Sequence, residues 1–232
     1  MSRTYELAGV AVPRIGLGTN RLTDDAEGVA FIRAAVEAGV RHIDSAHLYT
    51  GGASERAIGE ALGGSRDDLV IATKGGYRPG EGRAEVLDAQ IAQSLEALRT
   101  DVIDLYYLHR ADPETLLEES LGAIKAHVDR GTIRAVGISD VTVDQIERAR
   151  QVVPIAAVQN EYNADRRDYD AVVDHCETAD IAFVAYYPLH GGGSNADKLR
   201  TLLERSPNLL PIPGTLSIEH LRENLAVLDG QR

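Results

Sequence analysis

No tryptophan occurs in this chain, and cysteine and methionine occur once each. The single cysteine, Cys176, has no partner for an internal disulfide, so the fold must hold without one, as suits a reducing cytosol. Aromatic residues are sparse, at 5% of the 232 positions, so any pocket is walled without an indole ring. No run approaches the roughly 20 apolar residues that cross a bilayer. The opening MSRTYELAGVAVP lacks the apolar stretch of a signal peptide. The expectation is a soluble, cytoplasmic protein. Positive charge is the minority: 24 Lys and Arg stand against 36 Asp and Glu, a net of −12. That argues against nucleic acid or an anionic membrane as partner, although an anionic cofactor needs only a local positive site. Also missing is G-x-G-x-x-G after the first apolar run, where the chain reads GLGTNRL. A doubly wound dinucleotide-binding sheet therefore lacks its fingerprint.

Apolar residues make up 44% of the chain and fall into short continuous runs. The runs are RIGLGT (14–19), HIDSA (42–46), LVIATK (69–74), VIDLYYLH (102–109), AVGISD (135–140), AAVQNEY (156–162), AFVAYYP (182–188) and LLPI (209–212). They do not alternate with polar residues, as expected for parallel strands buried on both faces. A helical pattern follows each one. Residues 26–39 carry Val29, Ile32 and Val36 at helical spacing, and 86–99 carry Leu87, Ile91, Leu95 and Leu98. Further helices are expected over 53–64, 170–178 and 195–205. Asp112 before Pro113, Thr142 with Gln145, and Ser217 read as helix starts. Tyr5–Val12 reads as a hairpin turning at Ala8-Gly9. Eight strand–helix units with nothing left over predict an (α/β)8 TIM barrel of one domain, 1–232, closed below by that hairpin.

Barrel enzymes work at the C-terminal ends of their strands. Those ends carry Thr19, Asp44, Lys74, His109, Ser139, Gln159, Tyr186 and Gly214-Thr215. A buried Asp44 needs a partner, and Lys74 is the candidate. A lysine ammonium beside Tyr49, in the loop after Asp44, would lower the phenol's pKa from roughly 10. Tyr49 can then protonate a carbonyl oxygen that His109 holds by a hydrogen bond. No metal is required for this. Tyr106 and Tyr107 alternate within one strand and read as packing. Arg110 either reaches a substrate carboxylate or pairs with Asp112.

Joined in order, RIGLGTN, HIDSAHLYTGGASERAIGEAL, IATKGG, DLYYLHR, AVGISD, AVQNEYN, YYPL and LPIPGT-x4-HLRENL resemble the aldo-keto reductases over essentially the whole chain. The resemblance implies NAD(P)H-dependent reduction of aldehydes and ketones, with Asp44, Tyr49, Lys74 and His109 as the catalytic tetrad. It implies a cofactor site that includes Gly18, Thr19 and Asp44. Ser139 and Gln159 match residues that bond the nicotinamide carboxamide, and Asp140 falls where Asn is usual. Tyr186 matches the ring that stacks on nicotinamide, Pro188 and Leu189 the stretch covering the pyrophosphate, Glu223 and Asn224 the adenine contacts. Gly214, Thr215 and His220 stand where Lys, Ser and Arg often surround the ribose 2′-phosphate. NADPH is therefore the expected cofactor, with NADH possible.

Departures from the family pattern concern the substrate side. The loop after Lys74, the segment between Leu189 and Leu209, and the chain beyond the last helix all read as short. Asn20, Gly76 and Arg110 stand where some members place Trp near the reacting carbonyl. An open, polar pocket in a monomer is expected. Two alternatives stand beside the reductase: a cofactor-binding or regulatory module with little turnover, and an aldolase-type barrel using Lys74 as a Schiff base.

Overall fold

The computed structural model describes residues 2–63, 66 and 68–230. Strands β1 (Thr4–Leu7) and β2 (Val10–Pro13) form the N-terminal hairpin, antiparallel with Leu7 opposite Val10. Ala8 and Gly9 both take positive φ, 50° and 80°, the signature of a turn whose twist matches its strands.

Eight further strands run in chain order around one parallel sheet. They are β3 (Leu17–Gly18), β4 (His42–Asp44), β5 (Val70–Gly75), β6 (Ile103–Leu108), β7 (Ile133–Ser139), β8 (Ile155–Glu161), β9 (Ala182–Tyr186) and β10 (Leu209–Pro211). The ring closes between β3 and the end of β10. Gly16 N–H donates to Pro211 O at 3.0 Å, Gly18 N–H donates to Pro213 O at 3.3 Å, and Gly18 bridges Gly214 in parallel. Glycine is required at this seam: a Cβ on Gly18 would lie 2.9 Å from Ile212 O, and one on Gly16 2.7 Å from His42 Nδ1.

Among the described residues eight helices follow the strands: α1 (Ala26–Glu37), α2 (Ala53–Leu62), α3 (Ala84–Ala97), α4 (Leu117–Asp129), α5 (Val143–Arg150), α6 (Asp170–Thr178), α7 (Asn195–Arg205) and α8 (Ile218–Ala226). The barrel and its hairpin are those expected from the sequence. Thr142 and Gln145 form the anticipated capping box, and Ser217 accepts from His220 N–H at the start of α8. The helix expected over 53–64 ends at Leu62, and Gly64 lies outside the described residues. Asp112 does not start α4, whose N-cap is Leu116. Its carboxylate accepts from Glu114 N–H at 3.0 Å in a turn before α4, and also from Gly80 N–H at 3.0 Å and Gly82 N–H at 2.8 Å, so it ties down the loop after β5.

Two apolar shells hold the barrel. Leu17, Ile43, Ile71, Leu87, Leu121 and Phe183 belong to the outer one, between sheet and helices. Val70, Leu105, Tyr107 and Val184 fill the interior, where Leu7 and Val12 of the hairpin join them as its floor. Tyr106 and Tyr107 split accordingly, one to each shell, and both are fully buried. Arg14, buried as it leaves the hairpin, donates through Nη2 to Leu203 O at 2.9 Å and Leu209 O at 3.1 Å. It thus satisfies carbonyls at the end of α7 and the start of β10 that have no helical partner.

Candidate active site

At the C-terminal rim the strand ends converge. Lys74 Nζ donates to Asp44 Oδ1 at 2.5 Å and to Ser45 O at 2.6 Å, and Lys74 and Asp44 are each only 1% exposed. The second Asp44 oxygen accepts from Gln159 Nε2 at 2.7 Å. Below the loop a hydroxyl chain fixes the strand. Thr19 Oγ1 donates to Asp44 O at 2.8 Å, so Ser54 Oγ, 2.7 Å away, donates to Thr19, and Ser45 Oγ, 2.7 Å further, donates to Ser54.

Tyr49 opens a single 3₁₀ turn, Tyr49–Gly52, in which Thr50, Gly51 and Gly52 all take positive φ. Thr50 is the strained member, and its side chain holds the turn. Its hydroxyl donates to Leu22 O at 2.6 Å and accepts from Ser54 N–H at 3.1 Å. The turn lays the Tyr49 ring 5.1 Å from Lys74 Nζ and edge-on to His109, with ring centroids 6.1 Å apart. His109 is placed by its backbone N–H, which donates to Gly75 O at 2.8 Å.

The electrostatics follow from burial. Burial works against the Lys74 charge, but Asp44 and then Tyr49 outweigh it and raise the ammonium above its ordinary value. A Schiff-base role would need that amine neutral. Burial also raises the Tyr49 phenol; Lys74 pulls it down without overcoming the burial. The lowered phenol expected from the sequence is thus corrected, because the site is drier than a lysine–phenol pair in water. His109 is pushed down to about 2 by burial, then by Lys74 and Arg110, and is neutral at working pH. One layer below Asp44, His42 is fully buried, with neither ring nitrogen bonded to protein among the described residues, and burial pushes it down to about 4.

Asp44, Tyr49 and His109 open into a cavity of about 710 Å³. Gly18, Thr19, Asn20, Asp44, Tyr49, His109, Arg110, Ser139, Asp140, Gln159, Tyr186, Pro188, Leu189 and Gly214 from the sequence expectations all line it. Ser139 has no protein partner for its hydroxyl among the described residues, whereas the Gln159 amide already holds Asp44. Asp140 takes the Tyr186 hydroxyl at 2.8 Å and Arg110 Nε at 3.2 Å. Arg110 therefore pairs across to β7, not with Asp112. Burial and then Asp140 hold the Tyr186 phenol well above its ordinary value.

Lys74 stands behind the cavity wall, acting through Asp44 and Tyr49. Gly76 does not line the cavity. Its φ is +76°, its N–H donates to Gln90 Oε1 at 2.8 Å and its carbonyl accepts from Arg110 N–H at 3.2 Å. Thr215, His220, Glu223 and Asn224 also lie outside it, on α8 and the turn before it. There Thr215 Oγ1 accepts from Ser217 N–H at 3.0 Å, and His220 is exposed. Eight further wall residues escaped the sequence reading: Arg21, Leu48, Thr50, Tyr77, Tyr187, His190, Ile212 and Pro213. Arg21 donates to Gly214 O at 3.2 Å, which brings a cation to the seam of the ring. A second groove, about 720 Å³, lies outside the barrel between α2 and α3. It holds none of the tetrad, and Arg56, Arg78 and Arg99 in it are paired with Asp24, Glu81 and Glu60.

A barrel with a buried Asp–Lys pair, a phenol and a neutral imidazole around one cavity is a scaffold for proton transfer to a carbonyl. Residues 14–202 match the Aldo/keto reductase family, and the chain belongs to it. It is 33% identical over 264 residues to pyridoxine 4-dehydrogenase of Escherichia coli, covering 97% of this chain and 92% of that one. The fold is similar to that of the thermostable aldo-keto reductase Tm1743, solved with the inhibitor epalrestat. Their TM-score is 0.90 at 32% identity, over 99% of this chain and 95% of the other. An aldo/keto reductase from Klebsiella pneumoniae, solved with NADP and acetate, aligns with a TM-score of 0.87 at 27% identity, over 99% and 90%.

Proposed function

We propose that the protein reduces aldehydes and ketones with NADPH, Tyr49 supplying the proton, Lys74 and Asp44 setting its environment, and His109 holding the carbonyl oxygen. Family membership and the NADP-bound relative support NAD(P)H-dependent carbonyl reduction. The single observation that carries the residue roles is the convergence of Asp44, Tyr49 and His109 on one cavity, with Lys74 held behind its wall by Asp44 and 5.1 Å from the Tyr49 ring.

The residues present fit a nicotinamide cofactor. The Tyr186 ring forms part of the cavity wall, the Ser139 hydroxyl is uncommitted, and Gly18 and Gly214 offer backbone without a side chain in the way. The cofactor, when bound, supplies hydride to the carbonyl carbon. Tyr186 would flank its ring, Ser139 and Gln159 its carboxamide, and Pro188 and Leu189 its pyrophosphate. Gly214, Thr215, His220, Glu223 and Asn224 would flank its adenosine end. Arg21 adds a positive charge at that seam, and the N-terminus of α8 favours an anion.

His109, neutral at working pH, offers an N–H to the carbonyl oxygen without competing for the proton. Tyr49 then releases its proton to that oxygen, and the nearby Lys74 ammonium steadies the phenolate left behind. Among the described residues no helix is long and apolar enough to cross a membrane. A cytoplasmic monomer of one barrel domain, 1–232, acting on small carbonyl compounds without nucleic acid, is the reading that goes with this chemistry. Titration with NADPH and NADH, followed by turnover of a small aldehyde panel, tests it. Binding of both cofactors, NADPH at least as tightly, with aldehyde-dependent oxidation is expected. No turnover of any aldehyde would leave a cofactor-binding module instead.

A further inference from the structure

Arg110 stands at the cavity mouth with most of its donors unused. Its N–H is tied to Gly76 O at 3.2 Å, and its Nε to Asp140 Oδ2 at 3.2 Å. Its guanidinium carbon lies 4.5 Å from the centroid of the Tyr77 ring. Nη1 and Nη2 have no protein acceptor among the described residues, and the side chain is 48% exposed. The guanidinium is thus held through Nε and against one ring, on a residue that lines the cavity, and its Nη1–Nη2 edge is left without a protein partner among the described residues.

Tyr77 continues this surface inward. Its ring centroid lies 4.8 Å from that of His109, and it lines the cavity beside that imidazole. The loop that carries it is fixed, because Glu81 Oε2 accepts from both Tyr77 N–H and Arg78 N–H at 3.1 Å. His109, Tyr77 and Arg110 therefore form a continuous wall: an oxygen-binding imidazole, a flat apolar ring, then an open guanidinium edge. This wall stands at β6 and the loop after β5, across the ring from the β3–β10 seam where Arg21 and Gly214 sit. Arg110 is therefore on the far side of the cavity from the cation that serves the adenosine end.

We propose that Arg110 and Tyr77 form a substrate-recognition subsite for aryl aldehydes bearing a carboxylate. The aldehyde faces Tyr49 and His109, the ring lies along Tyr77, and the carboxylate takes the Nη1–Nη2 edge of Arg110. The proposal rests on the carbonyl-reductase reading. A planar guanidinium already held by Asp140 binds a carboxylate through two parallel bonds with little further ordering cost. Asp140 shares its charge with Tyr186 and with Arg110 Nε, so it anchors the guanidinium and leaves the Nη1–Nη2 edge to the substrate.

The test compares 4-carboxybenzaldehyde with benzaldehyde in the wild type, in Arg110→Ala, in Arg110→Lys and in the remote surface variant Arg130→Ala. In the wild type the carboxylated aldehyde is expected to have the lower KM, by about five- to tenfold for a half-exposed charge pair. That ratio should fall to within about twofold in Arg110→Ala, be partly kept by Arg110→Lys and be untouched by Arg130→Ala. Calorimetric binding of 4-(hydroxymethyl)benzoate against benzyl alcohol reads the same preference without turnover. A wild type that reduces neither aldehyde overturns the reductase reading, while the calorimetry still decides the subsite. A carboxylate that gives no advantage in KM or binding, or an advantage that survives Arg110→Ala, overturns the subsite.

Discussion

Replacing Lys74 by methionine removes the ammonium and leaves the Asp44 carboxylate buried, with only the Gln159 amide, at 2.7 Å, as donor among the described residues. Both members of the pair are 1% exposed and 2.5 Å apart, so solvent cannot take over. Breaking such a pair costs about 3–5 kcal/mol. For a chain of this size that is roughly 6–20 °C in melting temperature. Asp44→Asn is damaging in the opposite sense, since it strands a buried ammonium on Ser45 O. The double variant Asp44→Asn/Lys74→Met has no charge to strand, and should recover about 2–3 kcal/mol relative to the sum of the singles. Urea unfolding of all four proteins at neutral pH measures this cycle. Catalysis should not follow stability. The double variant lacks the charge that opposes the burial of Tyr49, so it should stay inactive while regaining its fold. Strict additivity of the two single variants would refute the buried ion pair as the organising contact. Recovery of turnover in the double variant would refute its role in proton transfer.

The pH dependence follows from the site. Tyr49 is held above the ordinary phenol value and His109 down at about 2, so neither titrates between pH 5 and 8. Carbonyl reduction should be flat there and fall only above about pH 10, as the phenol loses its proton; alcohol oxidation should rise over the same alkaline range. A descending limb near pH 6.5 in kcat/KM would contradict this. Stability has the opposite profile on the acid side. His42 stays neutral in the fold down to about pH 4 but takes a proton near 6.5 when unfolded. Its contribution is full above 6.5 and is lost as pH falls towards 4, by about 3 kcal/mol. His109 acts in the same sense, so His42→Gln should flatten only part of the slope in denaturation midpoints; an unchanged slope would remove His42 from the account.

The sequence carried the barrel because a strand buried on both faces must be a continuous apolar run, and eight such runs alternate with helical stripes. It carried the tetrad because Asp44, Lys74 and His109 are polar residues ending those runs, with Tyr49 five residues past Asp44. Tyr77, Leu48, Tyr187 and His190 were not legible. They sit in loops, and only the loop conformation, such as the Glu81 clamp behind Tyr77, turns them inward. Arg21 was missed for the same reason, two residues beyond the strand end it serves. Asp112 misled because Asp before Pro is a good helix start: its carboxylate does accept from Glu114 N–H at 3.0 Å, but it is shared with Gly80 and Gly82 N–H, and a turn precedes α4. The direction of the Tyr49 shift depended on burial, which no spacing of residues reveals. Gly76 was assigned to the pocket by its place in the motif, whereas its positive φ and backbone bonds give it the task of seating Arg110.

Tyr49→Phe tests the central claim most directly, since it deletes one hydroxyl and leaves the ring beside Lys74 and His109. NADPH oxidation with a small aldehyde is followed in the variant and the wild type, alongside cofactor binding by fluorescence and the isotope effect with deuterated cofactor. Loss of a general acid is worth about 10²–10⁴-fold. A fall of that size in kcat, with cofactor affinity nearly unchanged, is the expected result. Full turnover by the phenylalanine variant, with an isotope effect showing that hydride transfer limits the rate, would contradict it.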